Sequence, residues 1–128
     1  MRRNWEYLTH SDVRTIHTHL IQKFGGLDGL RDEGLFDAAL EQPRQTFDGK
    51  DLYPTVAEKA ARYAYGIVRN HPFADGNKRT GTACMGMFLA INGFRFKPRH
   101  DKLLQVVLAV ADGSMGYDEL ATWVDRQL

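Results

Sequence analysis

Residues 71–80, HPFADGNKRT, gather a histidine, a carboxylate, a glycine, an amide, two adjacent cations and a hydroxyl. Gly76 to Arg79 opens a run with helical period. The first turn of a helix carries unpaired N–H groups and the positive end of the dipole, which together attract an anion. Gly76 has no Cβ, so a phosphate can approach the backbone closely there. Asn77, Lys78 and Arg79 can add side-chain donors. Two cations at a helix start are unfavourable for the helix itself, and a bound polyphosphate removes that conflict. Asp75 beside an anion site is costly unless a cation lies between them. Mg²⁺ suits that place, since it binds one or two carboxylates together with substrate phosphates. His71 stands at the other end of the stretch, and histidine is the side chain suited to general-base work near neutral pH. Phe73 is apolar in a polar loop and can anchor it in the core. The spacing is not that of a Walker A loop. Taken one at a time, the same residues also read as a helix end, a turn and a solvated cationic face. From the residues alone, a phosphate-handling site and a plain helix connection both stand open.

The elements around this stretch are helical. Thr9 with Asp12 forms a weak capping box, and Val13, Ile16, Leu20, Ile21 and Phe24 follow with helical period until Gly25-Gly26. A second helix runs from Asp32 to Glu41 with Leu35, Phe36, Ala39 and Leu40 on its apolar side, and Pro43 marks its end. Residues 43–54 lack helical period; Asp48-Gly49 is a turn signal, and the segment is either a short hairpin or an irregular flap. Thr55 with Glu58 caps a helix over about 56–70. After the quoted stretch, Ala83, Cys84, Met87, Phe88 and Ile91 keep helical spacing up to Asn92-Gly93, and 94–97 reads as a brief extended piece. Asp101 to Asp112 forms a fifth helix with Leu103, Leu104, Val106, Val107 and Val110 inward, and Tyr117 to Gln127 a last one on Leu120, Trp123 and Val124. The expected fold is all-α, a compact single domain over 1–128 of about six helices, with a short flap or hairpin near 43–54.

Composition narrows the function classes. Hydrophobic residues make up 43% of 128, enough for one packed core, and the net charge is +1. That charge does not call for a nucleic-acid or membrane partner. The apolar runs are far shorter than a membrane span, no secretory leader is visible, and the single Cys84 fits a reducing cytoplasm. Cys84 reads as a buried structural thiol, and Trp5 and Trp123 as packing residues. His17 and His19 face different ways on a helix and make a poor metal pair; His10 and His100 have no evident partner. Arg31 and Asp32 read as helix-start residues, and Arg62 and Arg69 as solvated cations.

HPFADGNKRT resembles the signature of the Fic/Doc (Fido) family, whose Fic branch reads roughly HPFx[DE]GNGRxxR and whose death-on-curing branch reads roughly HxFx[DN][AG]NKRT. Lys78 stands where Fic enzymes have their second glycine, which is the Doc form, and Thr82 stands where they have their second arginine. The similarity also takes in 25–47 and 52–73, and so nearly the whole chain. The resemblance implies a Fido-like fold and the toxin of a toxin–antitoxin pair. Doc-type toxins transfer the γ-phosphate of ATP to a threonine of elongation factor Tu and so stop translation. On this sequence the resemblance implies His71 as the base, Asp75 as the Mg²⁺ ligand, Gly76, Asn77, Lys78 and Arg79 on the phosphates, and Arg79 among the catalytic groups. It places Phe73 as the buried anchor, and Phe47, Asp48, Gly49, Leu52 and Tyr53 in a flap that docks the target. Fic proteins often carry an inhibitory [ST]xxxE[GN] helix; here Glu33-Gly34 has the last two letters, but Gly29 fills the Ser/Thr position. Inhibition is therefore expected from another chain, a Phd-like antitoxin. Transfer of AMP or another nucleotide by the same fold is the alternative, and Lys78 and Thr82 weigh against it. A non-catalytic nucleotide- or partner-binding regulator is a second alternative, against which the intact His71 and Asp75 weigh. Direct nucleic-acid binding is not expected.

Overall fold

A computed structural model describes residues 4–128. Its elements in chain order are α1 (His10–Phe24), α2 (Glu33–Glu41), a 3₁₀ turn (Gln42–Arg44), β1 (Thr46–Phe47), β2 (Lys50–Asp51), α3 (Val56–Asn70), α4 (Asn77–Ile91), α5 (His100–Asp112) and α6 (Tyr117–Arg126). Local chemistry accounts for the helix starts. Thr9 and Asp12 form a reciprocal capping box on α1, and the Asp32 carboxylate accepts from the Leu35 N–H at 2.9 Å to start α2. At Thr55 only half of the expected box forms. The hydroxyl accepts the Glu58 N–H at 3.1 Å, but the Glu58 carboxylate takes the hydroxyl proton instead of the Thr55 N–H.

Helix α3 is the centre of the fold. It packs against α2, α4, α5 and α6 and buries residues around most of its circumference, from Val56 to Val68. Small residues set the close approaches. A Cβ on Gly66 would come within 3.2 Å of the Ala39 Cβ, and one on Gly81 would sit 2.7 Å from a Val68 methyl. Glycine at 81 is therefore what lets α4 lie against α3. Around them Phe36, Tyr63, Ile67, Phe73, Met85, Phe88, Leu120 and Val124 fill one continuous apolar core. Trp5 and Trp123 pack against that core.

Residues 43–54 resolve into a hairpin. Thr46 pairs with Asp51 and Phe47 with Lys50, and Asp48 and Gly49 turn the chain with φ of 53° and 75°. Two successive positive φ values match the right-handed twist of the flanking strands, which is why Asp-Gly is favoured there.

Several expected placements differ. Leu104 is 53% exposed, because only one side of α5, the side of Val106, Val107 and Val110, is buried. Phe24 is 51% exposed, since α1 ends beyond the elements that cover Val13 and Ile21. His10 has a partner, the Asp37 carboxylate at 3.0 Å. Residues 94–97 form no strand. Arg62 is not the solvated cation expected, and Arg69, though exposed as expected, is also a hydrogen-bond donor. The Arg62 guanidinium lies 3.9 Å from the Tyr117 ring centre, and Arg69 donates to the Val110 and Ala111 carbonyls that end α5. Among the described residues no helix is long and apolar enough to cross a membrane.

Candidate active site

The chain leaves α3 through His71, whose backbone is left-handed (φ 50°, ψ 59°), and enters α4 through Gly76, also left-handed (φ 76°, ψ 20°). Between these two turns Phe73 drops into the core. Its ring stacks on His17 with centroids 3.8 Å apart and meets the edge of Phe36 at 5.4 Å. The Asn77 amide closes the loop: its oxygen accepts the Phe73 N–H at 3.0 Å and its nitrogen donates to the Phe73 carbonyl at 3.1 Å. Asn77, expected to add a side-chain donor for a phosphate, is buried, and its amide oxygen and one of its two amide N–H groups bond inside the loop.

Segment 27–32 forms the outer wall of the loop. The Ala74 N–H donates to the Gly29 carbonyl at 3.0 Å, the Pro72 carbonyl accepts from the Arg31 and Asp32 N–H groups, and the Leu27 N–H donates to Asp75 Oδ2 at 3.0 Å. Arg31, expected only to help start α2, reaches back to donate to the carbonyls of His71 (2.7 Å) and Asn70 (2.8 Å). The guanidinium thus meets one orphan carbonyl of the last turn of α3, that of Asn70, and the carbonyl of the cap residue beyond it.

His17 is the main residue the sequence reading missed. It is buried, and its Nε2 donates to the Asp75 carbonyl at 2.7 Å; a carbonyl only accepts, so Nε2 carries a proton. Its Nδ1 faces Asp28 Oδ1 at 3.3 Å. A carboxylate, an imidazole and a loop carbonyl therefore stand in series, and they fix where Asp75 leaves the loop. The available signal was position: His17 lies four residues from both Val13 and Ile21 and shares their buried face.

Helix α4 is the one long helix of the first four without an oxygen cap or an acid in its first turn. The N–H groups of Asn77, Lys78 and Arg79 meet no acceptor among the described residues. Lys78 and Arg79 are exposed, and the Arg79 guanidinium rests 4.4 Å over the Phe24 ring. A Cβ on Gly76 would meet the Ile21 Cδ1 at 3.2 Å, so glycine serves both the backbone turn and the packing beneath it. His71 and Asp75 are both exposed at the two ends of the loop. Such a surface receives an oxyanion through the backbone and two cations, with a carboxylate one residue away.

The metal question turns on donor count. Among the described residues no three His, Cys, Asp or Glu side chains gather around one point. Asp75 spends Oδ2 on the Leu27 N–H, and its other oxygen has no hydrogen bond among the described residues. A single available carboxylate oxygen fits an ion that takes most of its ligands from phosphates and water, as Mg²⁺ does. It does not fit a zinc site, which needs three or four protein ligands.

The hairpin is rooted in α3. Lys59 is fully buried, with Nζ 3.2 Å from the Asp51 carboxylate and 3.3 Å from the Pro43 carbonyl. Tyr53 packs edge-on against Tyr117 at 5.5 Å, with the Arg62 guanidinium 4.9 Å from its ring centre. Of the expected flap residues, Tyr53 is thus taken up by packing. Phe47 stands 76% exposed near the Asp48-Gly49 turn, and Leu52 is also exposed.

A profile of the Fic/DOC family matches residues 7–89. The chain belongs to the Fic/DOC family. The family match spans α1 to α4 and so contains the loop, His17 and the wall at 27–32. Among similar proteins, "Toxin Doc" of Mycolicibacterium smegmatis is 43% identical over 96 residues, which is 75% of this chain and 72% of that one. "Protein kinase doc" of Escherichia phage P1 is 27% identical over 120 residues, 94% of each chain.

Proposed function

We propose that this Fic/DOC protein is the toxin of a toxin–antitoxin pair and an ATP-dependent protein kinase. Its target in this reading is a threonine of elongation factor Tu, so that translation stops in the cytoplasm, and a Phd-like antitoxin restrains it. The observation that carries the reading is the uncapped, cationic start of α4, with His71 and Asp75 at the ends of the loop that leads into it. The names of the two similar proteins, a toxin and a protein kinase, support the choice of reaction.

In this reading the first-turn N–H groups of α4, Lys78 and Arg79 hold the phosphates of ATP. Asp75 would hold Mg²⁺, which when bound would neutralise charge on the phosphates. His71 takes the proton of the target hydroxyl. The hydroxyl oxygen bonds to the γ-phosphorus, the bond from that phosphorus to the bridging oxygen breaks, and ADP leaves with the electron pair. Positioning and charge stabilisation supply most of the rate in phosphoryl transfer. The hairpin, with Phe47, Asp48, Gly49 and Leu52 free of the core, is the proposed docking surface for the target, and Tyr53 holds its root.

The test is label transfer to purified elongation factor Tu from ATP labelled at the α- or the γ-phosphate. Label from the γ position alone is expected. Label from the α position would replace kinase by nucleotidyl transferase, and no label from either would remove this target. His71→Ala is expected to abolish transfer while the protein melts as before. Asp75→Ala is expected to abolish the Mg²⁺-dependent reaction; retained turnover in either variant overturns that residue's role.

A further inference from the structure

His71 is one of two non-glycine residues with positive φ among the described residues, the other being Asp48 in the hairpin turn. A left-handed conformation at a residue with a Cβ persists only where its surroundings hold it. Asp48 has a hairpin to hold it. At His71 the helix hydrogen bond to the Ile67 carbonyl, 3.2 Å, fixes the N–H; beyond it the chain is next held at the Pro72 carbonyl, and the His71 carbonyl itself has no backbone partner among the described residues. The Arg31 guanidinium meets it: Nε donates to the His71 carbonyl and a terminal nitrogen to the Asn70 carbonyl. The backbone of Arg31 is itself pinned to the Pro72 carbonyl at 2.7 Å. One planar fork therefore spans the two peptide units on either side of the His71 Cα, from a base that cannot slide.

We propose that Arg31 is a positioning residue, which holds His71 left-handed and so aims its imidazole at the acceptor hydroxyl. The catalytic part of this proposal rests on the kinase reading above. Arg31 touches neither the nucleotide nor the hydroxyl. Its loss lets His71 relax toward negative φ and swings the ring away from the reacting atoms. Displacements of about 1 Å in a catalytic group are enough to cost roughly a hundredfold in rate.

The experiment compares the full chain with Arg31→Ala and Arg31→Lys. It reads steady-state phosphoryl transfer, thermal melting, and the Cα and Cβ NMR shifts of His71, which report its backbone conformation without any turnover. For Arg31→Ala a fall in kcat of about tenfold to a hundredfold is expected, with the KM for ATP within about twofold. The His71 shifts should leave left-handed values, and millimolar free guanidinium should restore part of the rate. Arg31→Lys, a single-point donor, should fall between. Unchanged His71 shifts in a folded Arg31→Ala overturn the proposal, whatever the rate does. So does a rise in KM at constant kcat, which would put Arg31 on the nucleotide. Should Arg31→Ala fail to fold, Arg31→Lys carries the same decision. A parent protein that transfers no phosphate, but whose His71 shifts still depend on Arg31, removes the kinase reading and keeps the positioning role.

Discussion

Asn77→Ala separates the two uses open to the most deeply placed polar residue of the loop. The amide makes two hydrogen bonds, both to the Phe73 backbone, at 3.0 and 3.1 Å. Phe73 is buried, and its N–H and carbonyl have no other partner among the described residues. Alanine leaves both groups unmet. A buried polar group without a partner costs about 1–3 kcal/mol, with carbonyls toward the low end, so the pair comes to about 2–4 kcal/mol. For a domain of this size 1 kcal/mol moves the melting temperature by about 4 °C, and the expected fall is roughly 8–16 °C. Lys78→Ala and Arg79→Ala change exposed side chains and are expected to stay within about 0.5 kcal/mol of the parent. Melting followed by circular dichroism, with ATP affinity measured on the same samples, reads both effects. The reasoning fails if Asn77→Ala melts with the Lys78 and Arg79 variants and loses nucleotide affinity instead, because the amide would then face the ligand.

Other perturbations probe the frame around the site. Lys59→Met removes the cation that faces Asp51 and should cost about 3 kcal/mol in urea unfolding; Asp51→Asn added to it should recover part of the loss, and a parent-like midpoint for the single variant would refute the pair. Thr80 is fully buried with a hydroxyl that finds no partner among the described residues, so Thr80→Val should raise the melting temperature, by up to about 1 kcal/mol in stability; a clear fall would show that the hydroxyl is bonded. Burial pushes the Cys84 thiol from 9.0 to about 12, and burial likewise raises the Tyr63 and Tyr117 phenols. The folded chain then keeps protons that the unfolded chain has lost, so stability should fall as pH rises above 9.0, by up to about 1.4 kcal/mol per unit through Cys84, with the tyrosines adding to the fall only above 10.0. Urea midpoints between roughly pH 8 and pH 10 check the Cys84 slope, and Cys84→Ala should flatten it; a flat profile in the parent would mean that this thiol titrates alike in both states.

The helix frame was legible because its punctuation is local. Thr9, Asp32 and Thr55 cap N–H groups three residues away, Gly25 and Asn92 stop helices at the next residue, and the apolar spacing of α3 needs no neighbour to be read. The composition of the loop was legible for the same reason: Gly76 ahead of Asn77, Lys78 and Arg79 makes an anion-attracting helix start whatever packs behind it. The hairpin stood open between two readings, since a single Asp-Gly cannot fix its register without the Asp51–Lys59 pair that roots it.

What the sequence could not fix is how that loop is held. Arg31 meets His71 across 40 positions, Leu27 meets Asp75 across 48, and His17 meets Asp75 across 58. Neither periodicity nor capping rules reach that far; only the packing of α1 against α4, and of segment 27–32 against the loop between α3 and α4, brings those atoms together. Tertiary packing elsewhere likewise left Leu104 on α5 exposed and buried Lys59 against Asp51 and Pro43, although the residue types alone argue the reverse. The sequence thus determined which groups stand at the start of α4. The tertiary structure decided which of them are spent on holding the loop, as Asn77 is, and which, like Lys78, Arg79 and His71, remain exposed at the site.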